Sequence, residues 1–445
     1  MHNLLQWRCK QGDCRSRGSV QRRRKETFNK TEKHINMTYE EAKALLKKNG
    51  QEGLLYYWND LGEQGRARLL SSVEKLNFSV LENLSHPQDL SGRGCDIRPI
   101  AGLSIGEREK QAEKYRRAGN KALKEGKVAG LLLAGGQGTR LGADGPKGAF
   151  NIGVGRTLSI FACQMKNMAE ELKESGAHPY LFIMTSEKND AETRAFWKEN
   201  DYFGYPEERI GFFVQEAVPC VGFDGKILLE EKDLPATSPN GNGGWFSSLK
   251  KSGLYKKMTE SGVEWLNVYA VDNVLQRPFD PEFIGATILS GAMCGAKAVR
   301  KCDPHEKVGV LCEKDGKPAV IEYYELTEEM ANARGKDGNL LYSYGVILNY
   351  LFSVRRLEET EKEKIPVHTV KKKIPCLNAR GEKTEPEKEN GWKFETLAVD
   401  LISFMGSVLP YEVCRETEFA PVKNALGTDS VDTARAALTA LGIQL

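Results

Sequence analysis

Apolar positions along the chain follow two different rhythms. Between residues 37 and 78 they recur at helical spacing, with Leu54, Leu55, Trp58 and Leu61 in one stripe and Leu69, Leu70, Val73 and Leu76 in another. Two amphipathic helices parted near Gly62 and Gly65 are expected there, forming a paired helical cap. Residues 83–106, rich in Gly, Pro and Ser, read as a long connection, and 107–125 as a charged helix ended by Gly126. The rhythm then changes. Residues 128–133 are an unbroken apolar run opening into glycines, as expected of a parallel strand buried on both faces. Runs at 180–185, 210–214 and 265–271 repeat it, with helical stretches at 157–174, 190–199 and 247–260 in between. This alternation predicts an α/β chain with a doubly wound, mostly parallel sheet. Its ligand belongs beyond the carboxyl ends of the strands.

Residues 296–326 favour strands, with a hairpin signal at Asp315-Gly316. The polar, Lys/Glu-rich stretch 361–390 reads in part as a linker or exposed loop leading into a smaller C-terminal unit. A helix over 428–441, capped by Asp429 or Ser430, closes the chain. The expected organisation is a basic extension (1–36), a helical N-terminal unit (37–106), a central domain (107–380) and a small C-terminal α+β domain (381–445).

At 445 residues the chain is too long for one small core. Its net charge of +3 is uneven: residues 1–36 carry ten Lys/Arg against three Asp/Glu, which leaves a negative body. The body is therefore no basic nucleic-acid-binding domain, and the Arg-rich head reads first as a solvated extension, with Met37 a candidate start, and otherwise as a nucleic-acid contact or a targeting peptide. No apolar stretch approaches the roughly 20 residues that cross a bilayer, and the opening residues lack the apolar centre of a secretory signal. A cytoplasmic protein with neither nucleic acid nor membrane as partner is expected. The ten cysteines form no C-x-x-C pair, and Cys9 and Cys14 lack a second pair at zinc spacing. Cys163, Cys294 and Cys312 lie in apolar surroundings, where a reduced thiol packs as a small hydrophobe.

The first candidate chemistry lies in Leu131-Leu-Leu-Ala-Gly-Gly-Gln-Gly-Thr-Arg-Leu-Gly142, followed by Pro146-Lys147-Gly148. Glycines directly after a strand let the backbone approach a ligand and turn several N–H groups toward one anion. Arg140 and Lys147 add a guanidinium fork and a flexible ammonium, which suits a triphosphate. A Walker A loop is excluded, because Lys147 is followed by Gly148 rather than Ser or Thr. The dinucleotide fingerprint also fails, since Leu141 stands where its third glycine belongs. Asp272, in Tyr269-Ala-Val-Asp272-Asn273 at the end of the fourth strand, is placed to hold Mg²⁺ against phosphate oxygens, and Mn²⁺ would serve the same site. Gly241-Asn242-Gly243-Gly244 after Pro239, Glu322 on an apolar strand and Lys423 two residues past Pro421 complete the candidates. Taken singly, each also reads as an ordinary turn or surface residue.

Together these motifs resemble the eukaryotic UDP-N-acetylglucosamine (UDP-N-acetylhexosamine) pyrophosphorylases. The resemblance runs from about Met37 to the C-terminus through Leu133-Ala-Gly-Gly-Gln-Gly-Thr-Arg-Leu-Gly142, Pro146-Lys-Gly148, Met184-Thr-Ser186, Phe223-Asp-Gly-Lys226, Asp272-Asn273, Cys294-Gly-Ala-Lys297, Glu322-Tyr323 and Pro421-Val-Lys-Asn-Ala425. It implies a Rossmann-like nucleotide-diphospho-sugar transferase domain with a mostly parallel mixed sheet, between helical N-terminal and small C-terminal units. It further implies that Leu133, Ala134, Gly135, Gly136, Lys147, Gln215, Gly241, Asp272 and Lys393 bind UTP. Asn242, Glu322, Tyr323 and Lys423 would hold the sugar, and Asp272 the metal. The chain departs from the family at Ser343-Tyr344-Gly345-Val346, where the family usually reads Asn-Ala-Gly-Asn, and at Leu397 and Val399, where it has phenylalanines. Uridylyl transfer is thus better supported than the exact sugar, and N-acetylgalactosamine 1-phosphate and glucose 1-phosphate stay open.

The expected reaction is attack of N-acetylglucosamine 1-phosphate on the α-phosphorus of UTP, with Arg140, Lys147 and Lys423 as the catalytic cations. A monomer or weak homodimer is expected. A UDP-sugar-dependent glycosyltransferase and a non-catalytic UDP-sugar-binding protein are the alternatives; the Asp-Asn-Val strand end, lacking a D-x-D pair, counts against the former.

Overall fold

The computed structural model describes residues 37–85 and 95–445. The expectations for the basic head, with Cys9 and Cys14, fall outside the described residues, as does part of the 83–106 connection.

Ten strands form the main sheet: β1 (Ile97–Pro99), β2 (Val128–Leu133), β3 (Leu181–Thr185), β4 (Ile210–Val214), β5 (Trp265–Ala270), β6 (Cys294–Arg300), β7 (Val310–Lys314), β8 (Lys317–Ile321), β9 (Tyr344–Ser353) and β10 (Val408–Glu412). The four strands expected from apolar runs are β2 to β5. They lie side by side in the order β4-β3-β2-β5, all parallel. Beyond β5 the sheet turns mixed. The long strand β9 runs antiparallel to β5 and β6, and β10 lies parallel to β6. On its other side the β7–β8 hairpin turns at Asp315-Gly316, both with left-handed φ (51° and 74°), as two-residue hairpin turns require.

Every residue of β2 is buried. Its side chains alternate between two cores, Leu132 joining one, Ala129, Leu131 and Leu133 the other. Helices α1 (Tyr39–Lys48) and α2 (Glu63–Lys75) form the cap, and α3 (Ala112–Lys124), α4 (Ile160–Leu172) and α5 (Asp190–Glu199) pack into the Leu132 core. Helices α6 (Trp245–Lys251) and α7 (Leu254–Glu260) cover the opposite face, while α8 (Pro281–Ser290) returns to the first. The sheet is thus helix-covered on both sides, and its strand order reverses between β2 and β5. A ligand crevice belongs at that switch point.

Three expected helices differ in detail. The stretch expected over 247–260 is two helices, because Gly253 takes φ +80° and breaks the ladder. The 107–125 stretch divides at Lys110-Gln111. Residues 54–61 form 3₁₀ turns, since Gln51, buried before them, is spent on the turn 225–227, donating to the Gly225 carbonyl (3.0 Å) and accepting from Ile227 N–H (2.8 Å). The closing helix α9 (Val431–Ala440) is capped by Ser430, not Asp429. Within 361–390, His368–Lys372 pairs with Gly391–Glu395, which pairs with Val221–Gly222, so residue 380 lies between two paired strands. Among the described residues no helix is long and apolar enough to cross a membrane.

Candidate active site

The glycine-rich segment leaves β2 at the switch point and folds back on itself. Ala134 N–H donates to the Met184 carbonyl (2.8 Å), and the Asn189 amide donates to the Ala134 and Gly136 carbonyls (2.9 and 3.2 Å). Across the loop, Gly138 N–H meets the Gly145 carbonyl (2.9 Å) and Lys147 N–H the Gly136 carbonyl (3.1 Å). Gly142 and Gly145 supply the left-handed turns that this reversal needs. Lys147 is thereby carried back over the first glycines, and a Cβ on Gly136 would lie 4.0 Å from its side chain.

The loop's two cations have no hydrogen bond or ion pair among the described residues, and neither has the Asp272 carboxylate, just past the tip of β5. Burial holds the Lys147 ammonium below the usual lysine range; Asp272 opposes that shift, and Lys423 and Arg140 add to it. Charges from two distant segments, Asp272 and Lys423, thus act on Lys147 together with Arg140 of its own loop. The structure brings Arg140, Lys147, Asp272 and Lys423 together.

On the opposite side of the loop, Gln215 follows β4 and is buried, its N–H donating to the Thr185 carbonyl (2.8 Å). A Cβ on Gly135 would lie 2.5 Å from Gln215 Oε1, so a larger residue there would have to push this amide aside. Gly241, at φ +83°, presses against the Thr396 carbonyl, Gly243 N–H donates to that carbonyl (2.8 Å), and Asn242 Oδ1 accepts from Ala398 N–H (2.8 Å). The turn expected as a nucleotide contact is thus docked on residues 396–398. Lys393 stands on the strand Gly391–Glu395 opposite Val370, where its charge acts on Cys220 rather than on Lys147. A cavity of about 820 Å³ opens beside Gln215 and Asn240, walled by Ser72, Lys75 and Leu76 of the cap.

A second cavity, about 220 Å³, abuts the charge cluster, with Asn242, Asp272, Glu322 and Lys423 as polar walls. Among the described residues Glu322 finds no side-chain hydrogen-bond partner, and burial, with Glu325 next, pushes its carboxyl above the usual range while His368 and Lys423 pull it down. Lys423 Nζ is 3.0 Å from Asp429 Oδ2. Tyr323 lies outside this lining, 40% exposed and edge-on to Tyr324. Of the departures from the family pattern, Val346, Leu397 and Val399 line the cavity, whereas Ser343 and Tyr344 do not. So do Lys307, Gly309, Leu348 and Phe419, which sequence reading missed. Leu348 has φ +51° within β9, a backbone outlier facing the cavity that no residue pattern announces. No group of three or more His, Cys, Asp or Glu side chains arranged for a metal exists among the described residues.

The sequence model of the UTP–glucose-1-phosphate uridylyltransferase family matches residues 94–431. The chain is 37% identical to human UDP-N-acetylhexosamine pyrophosphorylase-like protein 1 over 426 aligned residues, covering 90% of this chain and 83% of that protein. It is 35% identical to the UDP-N-acetylglucosamine pyrophosphorylase of Saccharomyces cerevisiae over 429 residues, covering 90% of each. The crystal structure of the Trypanosoma brucei uridine diphosphate N-acetylglucosamine pyrophosphorylase superposes with a TM-score of 0.76 at 30% identity, covering 89% of this chain and 83% of that one. The chain belongs to the UTP–glucose-1-phosphate uridylyltransferase family and, within it, to the UDP-N-acetylhexosamine pyrophosphorylases.

Proposed function

We propose that this chain is a nucleotidyltransferase converting UTP and N-acetylglucosamine 1-phosphate to UDP-N-acetylglucosamine and pyrophosphate. The observation that carries the reading is the cluster of Arg140, Lys147, Asp272 and Lys423, which joins the glycine-rich loop at the switch point to a cavity of sugar size. An oxygen of the sugar phosphate forms a new bond to the α-phosphorus of UTP. The bond from that phosphorus to the bridging oxygen breaks, and pyrophosphate leaves with the electron pair. The attacking oxygen is already anionic, so no general base is needed, and catalysis rests on orientation and charge neutralisation. Arg140 and Lys147 neutralise the triphosphate and the leaving pyrophosphate, and Lys423 aligns the sugar phosphate. Glu322, an acceptor-only carboxylate in the cavity wall, accepts hydrogen bonds from hydroxyl or amide groups of the sugar. Gln215 reads the uracil, and Lys393 assists the phosphates.

Mg²⁺ fits the residues present: Asp272 offers an unpaired hard oxygen at the strand end, and this ion keeps waters and takes phosphate oxygens alongside one or two carboxylates. When bound it would supply charge neutralisation between phosphate oxygens. The small-molecule substrates need no macromolecular partner, and a cytoplasmic location suits them.

Pyrophosphate release tests the reading, with UTP, ATP and GTP each paired with the 1-phosphates of N-acetylglucosamine, N-acetylgalactosamine and glucose. UTP with N-acetylglucosamine 1-phosphate is expected to give the highest kcat/KM. Release with glucose 1-phosphate as the best acceptor would move the assignment to a related pyrophosphorylase. No release with any pair would favour a UDP-sugar-dependent transferase or a binding protein.

A further inference from the structure

Glu418 ends the helical turn Arg415–Glu418, and residues 419–423 continue from it as a short extended segment whose side chains alternate. Phe419, Pro421 and Lys423 line the 220 Å³ cavity, whereas Glu418, Ala420 and Val422 are buried on the other side. With a period of two, a slip of one residue would turn Lys423 into the core. Something must therefore hold the register. The backbone does part of this: Val422 N–H donates to the Asp272 carbonyl (2.7 Å), Val274 N–H to the Ala420 carbonyl (3.3 Å) and Lys423 N–H to the Asp429 carbonyl (2.6 Å).

Two fully enclosed side chains do the rest. Asn273 is 1% exposed; its amide donates to the Glu418 carbonyl (2.7 Å), and its Oδ1 accepts from Ala420 N–H (2.9 Å) and Leu275 N–H (3.1 Å). Lys297, in the middle of β6, is 0% exposed, and its ammonium lies 2.6 Å from Glu418 Oε2 and 2.7 Å from Asp280 Oδ2. A lysine ammonium wholly inside a protein is costly unless it is paired, and here two carboxylates flank it. Nothing in the transfer reaction as described uses Lys297 or Asn273. Glu418 is the one residue both of them grip, Lys297 at the carboxylate and Asn273 at the carbonyl.

Resting on the uridylyl-transfer reading, we propose that Glu418 is a positioning residue for the reaction: clasped at both ends, it fixes the register of residues 419–423 and so aims Lys423 at the sugar phosphate. The clasp lies behind the sugar-side wall, not behind the glycine-rich loop. Its loss should weaken the handling of the sugar phosphate and spare UTP.

Glu418→Ala removes the carboxylate and leaves Lys297 paired with Asp280, so no buried charge is orphaned. The variant should lose about tenfold to a hundredfold in kcat/KM for N-acetylglucosamine 1-phosphate, the scale of a small misplacement at a reacting centre, with the KM for UTP nearly unchanged. Glu418→Gln, which still offers Lys297 an acceptor, should recover most of that loss. Hydrogen exchange followed by mass spectrometry or NMR should show the amides of Ala420, Val422 and Lys423 exchanging fastest in Glu418→Ala, and in Glu418→Gln by a smaller margin above the wild-type chain. Should Glu418→Ala fail to fold, Glu418→Gln carries both measurements. Unchanged exchange at these amides overturns the clasp whether or not the chain is active. A parallel fall in UTP and sugar-phosphate constants with the melting temperature reduces Glu418 to a structural residue, and also overturns it. A wild-type chain that releases no pyrophosphate refutes the uridylyl-transfer reading instead, while exchange still tests the clasp.

Discussion

Burial works against the charge on Lys147, Lys423 and Arg140 add to that pressure, and only Asp272 opposes it. A lysine in this position loses its proton at lower pH than one in water, because desolvation and like charges both disfavour the cation. The anionic triphosphate needs the cation. The rate should therefore fall on the alkaline side at a pH below the ordinary lysine range. Replacing Lys147 with Arg tests the origin of that limb, since a guanidinium stays charged throughout the accessible range. Lys147→Arg is expected to be slower at neutral pH, because the planar fork fits the site differently, but its kcat/KM for UTP should no longer decline at high pH. An alkaline limb retained at the same pH in this variant would assign the titration to another group.

Among the elements, α3 and α8 show most directly how backbone shape is bought with glycine. A Cβ on Gly119 would lie 1.9 Å from the Pro281 carbonyl oxygen, and one on Gly285 would lie 1.9 Å from the Tyr115 carbonyl oxygen. The two helices thus meet backbone to backbone, leaving no space for a side chain at either position. Gly119→Ala should destabilise the fold by about 1–3 kcal/mol or more through forced separation, although alanine is the better helix former. Chemical denaturation would show this as a lower midpoint, and an unchanged midpoint would mean that the helices can part without cost. This contact was not legible in the sequence, where a glycine within a helical pattern marks only a weak point. The four parallel strands were legible, because each is a short apolar run bounded by glycine or polar turns. Strand β9 was not: Tyr-Gly-Val-Ile-Leu-Asn-Tyr-Leu-Phe-Ser is equally apolar on both faces, and a buried helix gives the same pattern. The glycine-rich loop could be read directly, since its glycines and cations lie within sixteen residues of one another. The convergence of Lys423, Asp272 and Glu322 depends on chain segments far apart in sequence, and residue types alone cannot supply it.

For the molecule as a whole, the expected units share their cores and sheets. Cap residues Leu46, Leu54, Leu69 and Val73 pack with Val218, Val221 and Phe394, and β10 extends the main sheet from a segment close to the C-terminus. Unfolding should therefore reflect charges deep in the central body. The most concentrated group of these lines a cavity of about 330 Å³ between α4 and α8 that includes Glu171, Arg277, Asp280 and Glu418. Burial, and then the nearby charge of Asp280, raise the Glu171 carboxyl from 4.5 to about 7, while Arg277 and Lys297 oppose the shift. Asp280 shifts the other way: burial, the largest single influence, would raise it, but Lys297 with the Phe283 N–H and Arg108 holds it below the ordinary value of 3.8. Folding therefore favours protonated Glu171 and ionised Asp280. The Glu171 contribution is complete below pH 4.5 and is lost as pH rises through about 7. The Asp280 contribution is present above pH 3.8 and is lost only as pH falls through its depressed folded value. Stability should accordingly decline from about pH 5 to pH 7.5 through Glu171, with no matching loss from Asp280 in that interval. Glu171→Gln keeps an uncharged side chain of the same shape at every pH. Its denaturation midpoint should vary less over this interval than that of the wild-type chain, and an equally steep decline in both would place the titrating group elsewhere.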